Sequence, residues 1–363
     1  MVEALRIVLM LTIFCLHVIG RYPAEGKKAL NMLFGSTSQN MNLAVEFFFI
    51  AGGFFLYKRL VNGTSPFDQI KKTWLRLAPG LLFTFFLCVC LCKMPLAHLP
   101  AMLSLTVGTG QTTPNVAIIP SGAWFLGAYF WTTCLLLGIF QLPKRYAFPV
   151  LGVLMYTLLS LHLNNTKKFF AIDPIFGIIN AGMIRGIYSM GLGVFTGFLA
   201  QQIVLPQRLI AKLVGTAFEV WCLVTIYIFI FRPHHSHIGY WEIMATMAML
   251  MLSISQSWGY LSQMLNKCAR IQYISRYVFP SLMGHMVMMR LLDTHNKFNL
   301  EFSDALMLVI AGGITLGIIE YHLVEKFIVP KIAKYIKPAD NRIDDQLVET
   351  TNSDNSARGR RTD

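Results

Sequence analysis

Runs of about twenty apolar residues recur along this chain, and no other feature constrains its fold as tightly. A bilayer core about 30 Å thick is crossed by about 20 residues of helix, each rising 1.5 Å. By that ruler the candidate spans are 4–20, 43–61, 73–92, 123–141, 146–163, 183–204, 209–231, 240–260, 272–292 and 303–323. In lipid a backbone must satisfy its own polar groups, which for runs of this length means helix. The pattern predicts an all-α polytopic integral membrane protein of about ten transmembrane helices. Composition agrees: hydrophobic residues make up 55% of the 363 and charged residues 13%, about half the charged share of a soluble domain. The first run has no basic stretch before it and no small-x-small site after it. It is expected to stay in the membrane as a span.

Basic residues assign the sides. With the N-terminus inside, the inner connections hold Lys58, Arg59, Lys71, Lys72, Lys144, Arg145, Arg208, Lys267 and Arg270. The end of the chain adds Lys326, Lys331, Lys334 and Lys337. The outer connections hold fewer: Arg21, Lys27, Lys28, Lys93, Lys167, Lys168, Arg232 and Lys297. This bias predicts both termini cytoplasmic. It also accounts for the net charge of +13 without any nucleic-acid partner. The seven cysteines lie in or against apolar segments and suggest no disulfide framework. Residues 1–335 read as one membrane domain, and the polar stretch 336–363 as a disordered cytoplasmic tail. No soluble catalytic domain is evident, so any chemistry must come from residues in the spans or at their ends. The longest outer loops, 21–42 and 93–122, are placed to cover a site.

A charged side chain at membrane depth costs at least about 2.5 kcal/mol, so each is a functional candidate. In "LRIVLMLTIFCLHVIG" (5–20), Arg6 and His17 stand eleven residues apart. At 100° per residue they share nearly one helix face, about 16 Å apart along the axis. One reading makes them a cation near the cytoplasm and a reactive imidazole near the outer side. The other makes Arg6 a snorkelling anchor and His17 a packing partner. Glu46 begins the next span at the end nearest His17, where a carboxylate can fix an imidazole's tautomer; alternatively it is simply hydrated. Gly52 and Gly53 suit close helix packing. Arg76, with Lys71 and Lys72, gathers at the inner end of the third span. With Arg6 they suit a phosphorylated cytoplasmic ligand, or serve as positive-inside anchors. The run "RPHHSH" (232–237) has loop spacing and no Asp, Glu or Cys beside it, so no metal site is expected.

Several stretches, taken in order, resemble the acyltransferase-3 family of integral membrane acyltransferases. Arg6 to His17 matches its R-x10-H motif. "VEFFFIAGGFFL" resembles "VDxFFxxSGFL", with Ala51 and Gly52 in place of Ser-Gly. "LRLAP", "SGAWFLGAYF", "IRGIYSMGLGVFTG", "ISRYVFPSLMGH" and "IEYHLVEKFIVPKI" resemble later family elements, and together the similarity covers nearly all of 1–332. Three departures are visible. Thr73 stands where a third-span R-x-x-R would have its first arginine, Phe327 replaces a proline after Lys326, and the Tyr-Leu before the late histidine is absent.

The resemblance implies transfer of acetyl or another short acyl group from acyl-CoA to a hydroxyl of an envelope glycan or lipid-linked sugar. It also implies a multi-pass home in the plasma membrane, for a bacterium the inner one. On this footing Arg6, Arg76 and Lys72 are expected to hold the CoA phosphates. His17 acts as general base or transient acyl carrier, oriented by Glu46. Arg185, Trp124 and His285 are acceptor-side candidates. Each has a plainer alternative: Arg185 an interfacial anchor, Trp124 an aromatic-belt residue, His285 a packed imidazole. Glu320 and Glu325 are expected to pair with local basic residues. Rival classes are a secondary transporter, which predicts inverted repeats not found here, the membrane-bound O-acyltransferases, and a catalytically silent scaffold.

Overall fold

Helices account for nearly every described segment, as buried and lipid-facing backbone requires. The computed structural model describes residues 1–34, 40–106, 122–166, 174–175, 179–203, 208–231, 237–294 and 300–335. In chain order the helices are α1 Val2–Arg21, α2 Pro23–Phe34, α3 Leu43–Val61, α4 Pro66–Cys92, α5 Leu99–Leu103, α6 Ala123–Ile139, α7 Lys144–Thr166 and α8 Ala181–Gln202. They continue with α9 Leu209–Phe231, α10 His237–Gln256, α11 Tyr260–Lys267, α12 Ala269–Ser275, α13 Val278–Thr294, α14 Phe302–Glu320 and α15 Val329–Tyr335. A π-helical stretch, Tyr321–Ile328, joins α14 to α15. Strands β1 Pro174–Ile175 and β2 Ile179–Asn180 form one short antiparallel pair before α8.

Six of the described helices are long and apolar enough to cross a membrane, by length and composition: Val2–Arg21, Pro66–Cys92, Lys144–Asn164, Ala181–Gln202, Leu209–Phe231 and Phe302–Lys334. The chain is an all-α, multi-pass membrane protein. Helices α3, α6, α10 and α13 cover the remaining expected spans but are shorter or carry more polar residues. The surface is inverted relative to a soluble protein. On α9, Ile210 is 76% exposed and Trp221 56%, while Glu219 of the same helix is fully buried. Apolar atoms face outward because lipid, not water, covers them.

The sequence pattern missed three local features. The connection 21–42, expected as an outer loop, contains helix α2. The span expected at 272–292 is interrupted at Arg276 and Tyr277, between α12 and α13. The last span runs on into the π-helical stretch, a form often found at functional sites. The tail 336–363 and the histidine run at 232–236 lie outside the described residues.

Local chemistry fixes several boundaries. Ser65 caps α4, its Oγ accepting from the Asp68 amide at 3.1 Å, with Pro66 at the first helical position. Helix α8 is packed by α3, α6, α7 and α10. Its crossing with α3 depends on glycine. A Cβ at Gly53 would strike the backbone of Met190, and one at Gly193 the backbone of Ile50. The two backbones therefore touch, and that contact brings Glu46 of α3 against Arg185 of α8.

Candidate active site

Helix α1 carries Arg6 and His17 on one face, and both line cavities. Around His17 is a small, largely apolar cavity of about 60 Å³, walled by Ile13, Val45, Phe48, Trp124, Met283 and His285 among others. Its polar equipment is sparse, which makes the partner of His17 decisive. That partner is His285. His17 Nδ1 lies 2.9 Å from His285 Nε2. The two rings are nearly coplanar, at 11°, with centroids 5.1 Å apart. That separation matches an edge-to-edge hydrogen bond plus two ring radii, so the imidazoles are bonded in their common plane and not stacked face to face.

His285 is itself held from two directions. Its Nδ1 lies 2.6 Å from the Leu282 carbonyl one turn back on α13. Phe14 of α1 stacks on its ring at 4.5 Å. Gly313 of α14 leaves the space its backbone needs, since a Cβ there would crowd His285.

Glu46 is not where the sequence placed it. Its carboxylate accepts from Arg185 Nε at 2.6 Å and from the Ser189 hydroxyl, and it makes no hydrogen bond to His17. Both side chains of the ion pair are buried, Arg185 at 1% and Glu46 at 0% exposure. The physical reason is charge. A buried guanidinium demands a carboxylate far more strongly than a neutral imidazole does. Arg185 is thus no interfacial anchor. It lies under the Trp124 ring at 5.3 Å, and Trp124 lines the His17 cavity. Tyr188 and Tyr240 add a hydroxyl pair at 2.7 Å beside this centre.

Toward the Arg6 end the space widens. A second cavity of about 260 Å³ is lined by Arg6, Arg59, Arg76 and Tyr129. It shares Phe48, Phe125, Phe279 and Leu282 with the His17 cavity. A third, of about 330 Å³, is lined by Glu3, Arg6, Arg76, Arg276 and Glu325. The shared side chains, three phenylalanines and a leucine, stand between the arginine-lined vestibule and the cavity of the histidine pair. Arg6 is tied to Glu3 at 2.8 Å, with both side chains partly exposed. Lys72 is exposed on α4 and lines none of these cavities. Glu325 faces the vestibule arginines, whereas Glu320 is buried against Gly80 with neither carboxyl oxygen hydrogen-bonded. The expected pairing of Glu320 with a basic residue is therefore corrected.

Sequence reasoning missed Arg59, Arg276 and Ser189. Arg276 had a signal: it stands nine residues before His285, much as Arg6 stands eleven before His17. Ser189 had none, because its contact exists only where α3 and α8 cross.

This arrangement can hold an anionic ligand at one end and offer a base or nucleophile at the other. The comparisons agree with that chemistry. The family model described as an acyltransferase domain matches residues 2–319, nearly the whole described chain. No curated protein and no solved structure matches significantly. The match spans both arginine and histidine ends of the site, and the chain belongs to the acyltransferase-3 family of membrane acyltransferases.

Proposed function

We propose that this protein transfers an acetyl group from cytoplasmic acetyl-CoA to a hydroxyl of a cell-envelope glycan or lipid-linked sugar at a bacterial inner membrane. The observation that carries this reading is that the arginine-lined cavity and the cavity of the histidine pair adjoin across four shared side chains. Guanidinium groups suit the phosphates of CoA, and Arg6, Arg76 and Arg276 share one cavity. The span from Arg6 to His17, about 16 Å along α1, suits an extended pantetheine arm passing Phe48, Phe125 and Phe279. The cavity at the far end is small, about 60 Å³, and suits a short acyl group.

At that end His17 acts on the acceptor hydroxyl as general base, or takes the acyl group first. Trp124 lines the same cavity and offers a ring face to a sugar, with Arg185 behind it. The test is transfer of label from radiolabelled acetyl-CoA to glycans in inverted membrane vesicles, with mass spectrometry for the acetyl mass difference. His17→Ala is expected to abolish transfer while the protein stays in the membrane. Transfer retained in that variant overturns the reading. Absence of any acyl mass difference with and without the gene returns the transporter alternative.

A further inference from the structure

His285 makes two hydrogen bonds, and together they determine the state of His17. A carbonyl oxygen can only accept, so the 2.6 Å bond to Leu282 places a hydrogen on His285 Nδ1. A neutral imidazole then has only a lone pair at Nε2. That lone pair faces His17 Nδ1 at 2.9 Å, so His17 donates and its own hydrogen sits on Nδ1. The nitrogen left with a free lone pair is His17 Nε2. A second proton would charge His285, which is 1% exposed beside a largely apolar cavity, and burial there opposes the cation.

We infer that His285 is the positioning residue of this site, holding His17 as its Nδ1–H tautomer so that Nε2 takes the proton of the acceptor hydroxyl. The inference rests on the acyl-transfer reading above. As the acceptor oxygen bonds to the thioester carbonyl carbon, its proton passes to His17 Nε2. The carbon–sulfur bond then breaks, and the leaving thiolate takes that proton, giving the ester, CoA thiol and neutral His17. During the step the His17 imidazolium donates from Nδ1 into His285, whose Nδ1–H remains on the Leu282 carbonyl. His285 thus does what a carboxylate does in a catalytic triad, without a second charge.

The choice of a neutral partner has a physical reason. The cavity around the pair is lined by Ile13, Val45, Phe48 and Met283, and a lone carboxylate there would lack a counterion. The carboxylate closest in the sequence pattern, Glu46, is already neutralised by Arg185.

The experiment has two arms. In the purified full-length chain in lipid, 15N-histidine NMR is expected to show His17 protonated at Nδ1 and bare at Nε2. The opposite tautomer overturns the inference, and this arm needs no acceptor and no variant. In the vesicle assay with acetyl-CoA, His285→Ala is expected to lower the transfer rate at least about 10- to 100-fold, the loss seen when the partner orienting a metal-ligating histidine is removed. The KM for acetyl-CoA should stay unchanged. His285→Gln, whose side-chain oxygen can accept from His17, should recover most of the rate, and His285→Lys, a donor only, should not. Equal rates for the Ala and Gln variants, or a wild-type rate for His285→Ala, overturn the inference. If wild type and His17→Ala transfer alike, the acyl-transfer reading fails instead, and the NMR still decides the tautomer.

Discussion

The two ends of the α1 face differ in nearly every physical respect. At the Arg6 end, cavities of about 260 and 330 Å³ are lined by Arg6, Arg59, Arg76 and Arg276, with Glu3 and Glu325 among them. Arg59, Arg76 and Arg276 are exposed. At the His17 end, about 60 Å³ is lined mostly by apolar side chains and served by two imidazoles. Exposed charges are each worth little and back one another up. His285 is 1% exposed, and a buried nitrogen left unpaired costs the desolvation penalty of that group. The vestibule is therefore built to tolerate single losses, and the histidine cavity is not.

The largest test of that contrast is His17→Ala. Loss of a general base costs about 10²- to 10⁴-fold, and as sole base or carrier its removal should take transfer to background in the vesicle assay. A residual rate above one tenth of wild type would break the contrast. Next comes the buried pair behind Trp124. Glu46→Ala or Arg185→Ala leaves one charge uncompensated, at about 3–5 kcal/mol, and should sharply lower the melting temperature and the yield of protein in the membrane. A Glu46→Gln, Arg185→Met double variant should recover stability relative to either single change. If each single variant melts like wild type, the pair does not hold α3 to α8.

At the vestibule, Arg6→Ala or Arg76→Ala should raise the KM for acetyl-CoA about 10-fold, the loss of one charge-assisted bond of about 1.5 kcal/mol. The kcat should be little changed, and the affinity should weaken with salt. Equal effects on donor and acceptor would point to a structural role. The smallest effect is at Lys72, which lines none of the three cavities. Lys72→Ala should alter the donor KM by less than about twofold, as expected for an exposed charge. A change as large as that of Arg76→Ala would extend the vestibule across α4.

Much of this architecture was legible before any coordinates. The helices follow from apolar runs that must satisfy their own backbone. Arg6 and His17 share a face because eleven residues make close to three turns. What failed around the histidine pair failed for one reason: partners across helix interfaces have no fixed spacing in the chain. Glu46 looked like the neighbour of His17 because both lie toward the same end of consecutive spans. The carboxylate went instead to Arg185, 139 residues away, because a buried cation outcompetes a neutral ring. His285, 268 residues from His17, was legible as an acceptor-side candidate or a packed imidazole, but not as the partner of His17.

The sequence alone determined that this chain is helical and membrane-bound, and that one face of its first helix carries a cation and an imidazole. Both follow from local rules, the period of the helix and the cost of apolar surface in water. The tertiary structure decided which groups those two residues meet. The glycine-lined contacts of α3 with α8 and of α13 with α14 set how close the backbones come. At that range a single hydrogen bond decides which nitrogen of His17 is free.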